Sequence, residues 1–136
     1  MRQAFTIADL LKGPTAHRNQ HLVINRPTRK RSESKEKIWM QYRLEEYAKE
    51  NNLELSTEHL FAKPDRKWRF DFSFNELQIA FEYEGLMSAK SRHTTIKGYT
   101  GDAEKYNKAQ ELGWKVYRYT ALNYLNLVTD LNALLW

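Results

Sequence analysis

Asp71, Glu82 and Glu84 lie in the most strongly patterned stretch of the sequence and are its best candidates for chemistry. From Lys67 to Glu84 (KWRFDFSFNELQIAFEYE) apolar and polar residues alternate, the period of a strand. Trp68, Phe70, Phe72 and Phe74 take one face, and Arg69, Asp71 and Ser73 take the other. After a tight turn at Asn75 and Glu76 the alternation resumes, with Leu77, Ile79, Phe81 and Tyr83 on one side and Gln78, Ala80, Glu82 and Glu84 on the other. With Phe74 paired to Leu77, Asp71 falls opposite Ala80, and Glu82 is its diagonal neighbour at about 5 to 8 Å between Cβ atoms. Three carboxylates gathered on one polar face repel one another, and a hard divalent cation with oxygen ligands relieves that repulsion. Magnesium so held can activate water and neutralise a phosphoryl transition state. The alternative is the wet face of a half-exposed hairpin. That accounts for one or two acids better than for a pair at i and i+2, set before a glycine and a polar loop, with a third acid on the partner strand.

The elements that must position these acids are legible around them. Ser32 or Ser34 can cap a helix over 34–51, rich in Glu, Lys and Arg around Ile38, Met40, Tyr42, Leu44 and Tyr47 and closed by Asn51 and Asn52. Residues 53–61 suit a weak first strand, and residues 85–99, with two glycines and many hydroxyls, suit a long functional loop. Asp102 to Leu112 reads as a helix ended by Gly113, Lys115 to Thr120 as a strand, and residues 121–135 as a last helix. The order predicts an α/β chain with one sheet and helices packed on it. Ahead of it, residues 5–11 suit a short amphipathic helix, and Lys12 to Ser34 suit a basic arm or linker, so the expected organisation is an arm over 1–33 and one domain over 34–136.

Charge supports that division. The first 37 residues carry nine Lys/Arg against three Asp/Glu, a balance of +6, and the remaining 99 carry thirteen against fourteen, a balance of −1. A basic excess confined to one end is the footprint of a polyanion partner, nucleic acid above all, with a solubilising tail as the alternative. A length of 136 residues suits one domain, and an apolar content of 41% with four Trp, eight Tyr and six Phe suffices for a core. The absence of cysteine excludes disulfides, thiolate nucleophiles and Cys-based metal sites. No apolar run is long enough to span a membrane and no signal-peptide core is seen, so the expectation is a soluble, cytoplasmic protein.

Asp71, ten residues, then Glu82, Tyr83 and Glu84 resembles the PD-(D/E)XK nuclease superfamily. More narrowly, WRFDF, FEYEG and RHTTIKGYTGDAEKYNKAQELGWKVYRYT are similar to a group of small phage and bacterial endonucleases related to the very short patch repair enzymes. The resemblance spans roughly Ser34 to Thr120. It implies a restriction-endonuclease-like αβββαβ core with a mixed central sheet flanked by helices. It also implies a Mg²⁺-dependent endonuclease hydrolysing DNA phosphodiester bonds, with Mn²⁺ as a substitute, acting on nicks, mismatches, junctions or plain duplex. Asp71 and Glu82 become metal ligands. Glu84 stands where most members carry the lysine that orients the attacking water, as it does in the small phage group, and becomes a ligand or base. The second glycine of the usual pair is Leu86 here.

The resemblance also raises lesser candidates. His93, beside Arg92, could donate to a phosphate or the leaving oxygen, or be a solvated loop histidine. Lys105, one turn after Asp102, could replace the missing lysine or form a surface ion pair with Asp102. Glu36 matches an acid that some members add to the metal site, although a first-turn Glu also suits the helix dipole. Arg26, Arg29, Lys30, Arg31, Arg92 and Lys97 are the candidate phosphate contacts, with Arg66, Lys67, Arg69 and Arg118 adding positive charge. An inactive DNA-binding module on a nuclease fold is the main alternative function, and a protein adaptor using the aromatic hairpin face is a third. A homodimer is compatible with any of them.

Overall fold

The computed structural model describes residues 32–85 and 95–134, and every structural statement below concerns these. The expected basic arm apart from its last two residues, the short helix over 5–11, and Arg26, Arg29, Lys30, Arg31, Arg92 and His93 lie outside the described residues.

Helix α1 (Lys35–Asn51) begins where Ser34, in extended conformation, accepts a hydrogen bond from the Lys37 amide at 3.2 Å. That bond satisfies one of the free amides of the first turn. Met40, Leu44 and Ala48, four residues apart, form its buried stripe, and Asn52 in the left-handed region ends it as expected. Strands β1 (Ser56–Leu60), β2 (Arg69–Phe74), β3 (Ile79–Tyr83) and β4 (Lys115–Tyr119) form one sheet in the order β1-β2-β3-β4. The first three strands are antiparallel and β4 runs parallel to β3, so the sheet is mixed. A parallel neighbour requires a crossover, and helix α2 (Ile96–Glu111) stands between β3 and β4 in the chain. Helix α3 (Leu127–Asn132) completes a mixed α/β domain with three helices flanking the sheet. No helix among the described residues is long and apolar enough to cross a membrane.

Two cores form. On one face Met40, Leu44 and Ala48 of α1 and Leu127 and Leu131 of α3 pack against Phe72, Phe74, Ile79, Phe81 and Tyr119. On the other, Ala109 of α2 packs with Phe61, Ala62, Phe70 and Ala80. Burying each large side chain contributes about 1.5 to 3 kcal/mol. The end of α2 is fixed by Gly113 at φ 86°, where the amides of Gly113 and Trp114 return to the carbonyls of Gln110 and Ala109. This left-handed closure suits glycine, and it brings Trp114 to 4.9 Å from the Phe70 ring.

Four expectations are corrected. The hairpin connection is longer than two residues: Asn75–Leu77 form a 3₁₀ turn and Gln78 is left-handed, so Phe74 pairs with Ile79, not Leu77. A shift of two residues preserves the faces. The aromatic run of β2 does not share one face, because Phe72 and Phe74 join the α1 core whereas Phe70 and Trp68 join the α2 core. The alternation breaks at Asp71, across from Glu58, whose φ of 53° is left-handed. Helix α2 starts at Ile96 and not at Asp102, since Thr95 caps it by accepting from the Gly98 amide at 3.0 Å. The cap offsets part of the roughly 1 kcal/mol that each of Gly98 and Gly101 costs inside a helix. The last helix is shorter than 121–135, because Asn123 accepts from the Thr120 amide at 2.7 Å and closes a turn first.

Candidate active site

The corrected register brings the principal acids closer than the sequence suggests. The ladder pairs Phe72 with Phe81, and Asp71 and Glu82 each follow at the same end of the hairpin, close enough that the Asp71 charge acts on Glu82. Asp71 Oδ2 accepts from the Tyr83 amide at 2.8 Å, so the carboxylate itself takes a backbone donor of β3. Its Oδ1 accepts from Lys37 Nζ of α1 at 3.3 Å. Glu82, buried at 6% exposure, points to the α2 side and accepts from Lys105 Nζ at 2.5 Å. Glu84, just past β3, accepts from Arg118 Nε at 2.8 Å and from the Tyr106 hydroxyl at 3.0 Å, and the Arg118 guanidinium lies 4.0 Å from the Tyr106 ring centre.

Asp71, Glu82, Glu84, Lys105 and Tyr106 line a cleft of about 720 Å³ between the sheet and the start of α2. Lys67, Arg69 and Lys97 also line it, which gives a cleft with acids at its base and cations among its walls. Burial is the largest influence on Glu82 and pushes its carboxyl up to about 7; Lys105 opposes the rise, and Asp71 and Glu84 add to it. Burial, then Glu82 and Glu84, push the Tyr106 phenol upward as well, which keeps it a hydrogen-bond donor.

Among the expected site residues, Asp71, Glu82, Glu84, Lys105 and Lys97 come together in this cleft. Glu36 does not line it: the Tyr83 hydroxyl donates to Glu36 at 3.5 Å on the α1 side. Of the scattered cations, Arg66 lies 5.3 Å from the Trp68 ring centre, and Arg118 serves Glu84. Sequence reasoning missed Lys37, which reads only as a helix-favouring residue until α1 is laid beside Asp71. It also missed the partnership of Tyr106 and Arg118 with Glu84, which joins a helix to two parallel strands.

Comparison of the chain with protein-family models, with curated proteins and with solved structures gives no match. Among the described residues no group of three or more His, Asp and Glu is gathered as a ready-made metal cage. Magnesium does not need one, since it keeps several waters and commonly takes one or two carboxylates together with substrate phosphates. Asp71 and Glu82 fit that demand: both are hard oxygen donors, and both line the same cleft. Glu84, the third expected ligand, lines the same cleft and accepts from Arg118 and Tyr106.

Proposed function

We propose that this chain is a magnesium-dependent endonuclease that hydrolyses DNA phosphodiester bonds on a restriction-endonuclease-like core. The observation that carries the reading is the convergence of Asp71, Glu82 and Lys105 in one cleft, with Lys105 Nζ 2.5 Å from Glu82. The order α, β, β, β, α, β with β3 and β4 parallel agrees with that core. Asp71 and Glu82 would hold the magnesium, which when bound supplies a Lewis acid and a water of lowered pKa. The Tyr83 amide fixes Asp71, and the burial of Glu82 keeps bulk water from competing for it. Lys105 is the group that answers for the missing strand lysine: its ammonium stands beside Glu82, where it orients a water and offsets negative charge on the phosphoryl oxygens. Glu84 then acts by fixing Arg118 and Tyr106. Lys67, Arg69 and Lys97 are placed to meet phosphates.

One observation favours the rival reading of an inactive DNA-binding module: Asp71, Glu82 and Glu84 each already contact a cation, Lys37, Lys105 and Arg118 respectively. Incubating the full chain with linear, nicked, mismatched and four-way-junction DNA, in Mg²⁺ and in chelator, separates the two. Cleavage that chelator removes supports the nuclease, and binding without cleavage of any substrate supports the module.

A further inference from the structure

Lys37 holds a position that the nuclease reading leaves without a role. Its ammonium lies 3.3 Å from Asp71 Oδ1 and 3.9 Å from Glu58 Oε1, between a proposed metal ligand and an acid of the edge strand. The Lys37 and Asp71 side chains are 23% and 20% exposed, whereas Glu58 is 54% exposed, so the two acceptors differ in how strongly solvent screens them. Glu58 is there because of its left-handed backbone: φ of 53° breaks the alternation of β1 at the residue facing Asp71. An L-residue other than glycine adopts that region at a cost of about 1 to 2 kcal/mol, and strain of this kind is commonly held where a side chain must be aimed.

Charge explains why such a pair is needed. With Asp71 and Glu82 ionised, Lys37 and Lys105 neutralise them, and a divalent ion bound by the acids leaves these four side chains and the ion with a net charge of +2. Lys37 is the cation that can leave, because it is the more exposed of the two and a second acceptor lies within about an ångström of hydrogen-bond range. We propose that Lys37 is a stand-in cation for the metal at Asp71, and that Glu58 is the acceptor to which it transfers when the ion binds. Both are positioning residues, and the proposal rests on the metal-site reading above. Its consequence is an Asp71 that is never left uncompensated and a site whose ion affinity is set by a residue that does not touch the ion.

The test is Mn²⁺ binding to the full chain without DNA, followed by electron paramagnetic resonance or calorimetry. Lys37→Met should tighten binding and Glu58→Gln should weaken it, each on the order of tenfold, the lower end of what outer-sphere partners of metal ligands contribute. In the Lys37→Met background, Glu58→Gln should change affinity less than about twofold, because the lysine it receives is gone. An equal loss in both backgrounds would mean that Glu58 acts only as a nearby charge and would overturn the transfer. Circular dichroism establishes that each variant is folded, and Lys37→Gln replaces Lys37→Met if the latter is not. Wild-type binding that Asp71→Asn abolishes, without coupling between Lys37 and Glu58, sinks this inference alone. No Mn²⁺ binding by the wild-type chain sinks the metal site and the inference with it.

Discussion

Replacing Glu82 with Gln should make the protein's stability less dependent on pH. In the folded chain the Glu82 carboxyl is pushed from its ordinary value of 4.5 up to about 7, chiefly by burial. A carboxyl raised on folding stabilises the fold when protonated: its contribution is complete below 4.5 and is lost as pH rises through about 7. The gap between those two values, at 1.36 kcal/mol per tenfold, sets an upper bound of about 3 kcal/mol on what the wild type loses across that window. Glutamine copies the protonated form in size and polarity and has nothing to ionise. Urea unfolding in chelator at pH 5, 6, 7 and 8 should therefore show wild type losing ground to Glu82→Gln, with most of the divergence complete by pH 8. Magnesium at a hundred times its dissociation constant should restore about 2.7 kcal/mol to the wild type at pH 8 and little to the variant. Parallel stability curves for the two proteins would refute the reasoning, since they would mean that the buried carboxyl titrates alike in the folded and unfolded chains.

Three further outcomes are expected. Lys105→Met should lower the single-turnover cleavage rate on the order of a hundredfold with DNA affinity little changed, whereas Glu84→Gln should be milder; the reverse ranking would transfer the role to Glu84. Glu58→Gly should keep or raise the thermal midpoint while Glu58→Val lowers stability by about 1 to 2 kcal/mol, because valine resists the left-handed backbone that glycine accepts; equal midpoints would argue against that conformation. Gly113→Ala should destabilise by about 1 kcal/mol or more, since its φ of 86° is strained for alanine and the added Cβ would sit 3.3 Å from the Gln78 side chain, and urea unfolding reads the loss.

The parts of the fold that local pattern dictates were legible. Ser34, the apolar residues Met40 and Leu44, and Asn52 define α1, although Ile38 and Tyr42, also read as apolar, are exposed, and the alternation in β3 sends Glu82 to the face opposite Phe81. What escaped depends on pairing between distant residues. The left-handed Gln78 lengthens the turn, yet the resulting shift is even, so Ala80 and Glu82 stay on the face opposite Phe81. The break at Asp71 has its counterpart at Glu58, thirteen residues away on another strand, and a period of two in β2 gives no sign of it. Gly98 and Gly101 hid the first turns of α2, which the Thr95 cap and the packing of the helix on the sheet support against the glycine cost. Lys37 carries no local signal; its meaning comes from the packing of α1 beside β2.

The roles of Asp71 and Glu82 as ligands for the divalent ion of a DNA hydrolase are read by single-turnover cleavage of the best substrate in saturating Mg²⁺. The wild type should cleave and lose that activity in chelator, while Asp71→Asn and Glu82→Gln, folded by circular dichroism and still binding DNA, should show no cleavage. Cleavage at the wild-type rate by either variant, or a wild-type rate unchanged by chelator, would contradict the account.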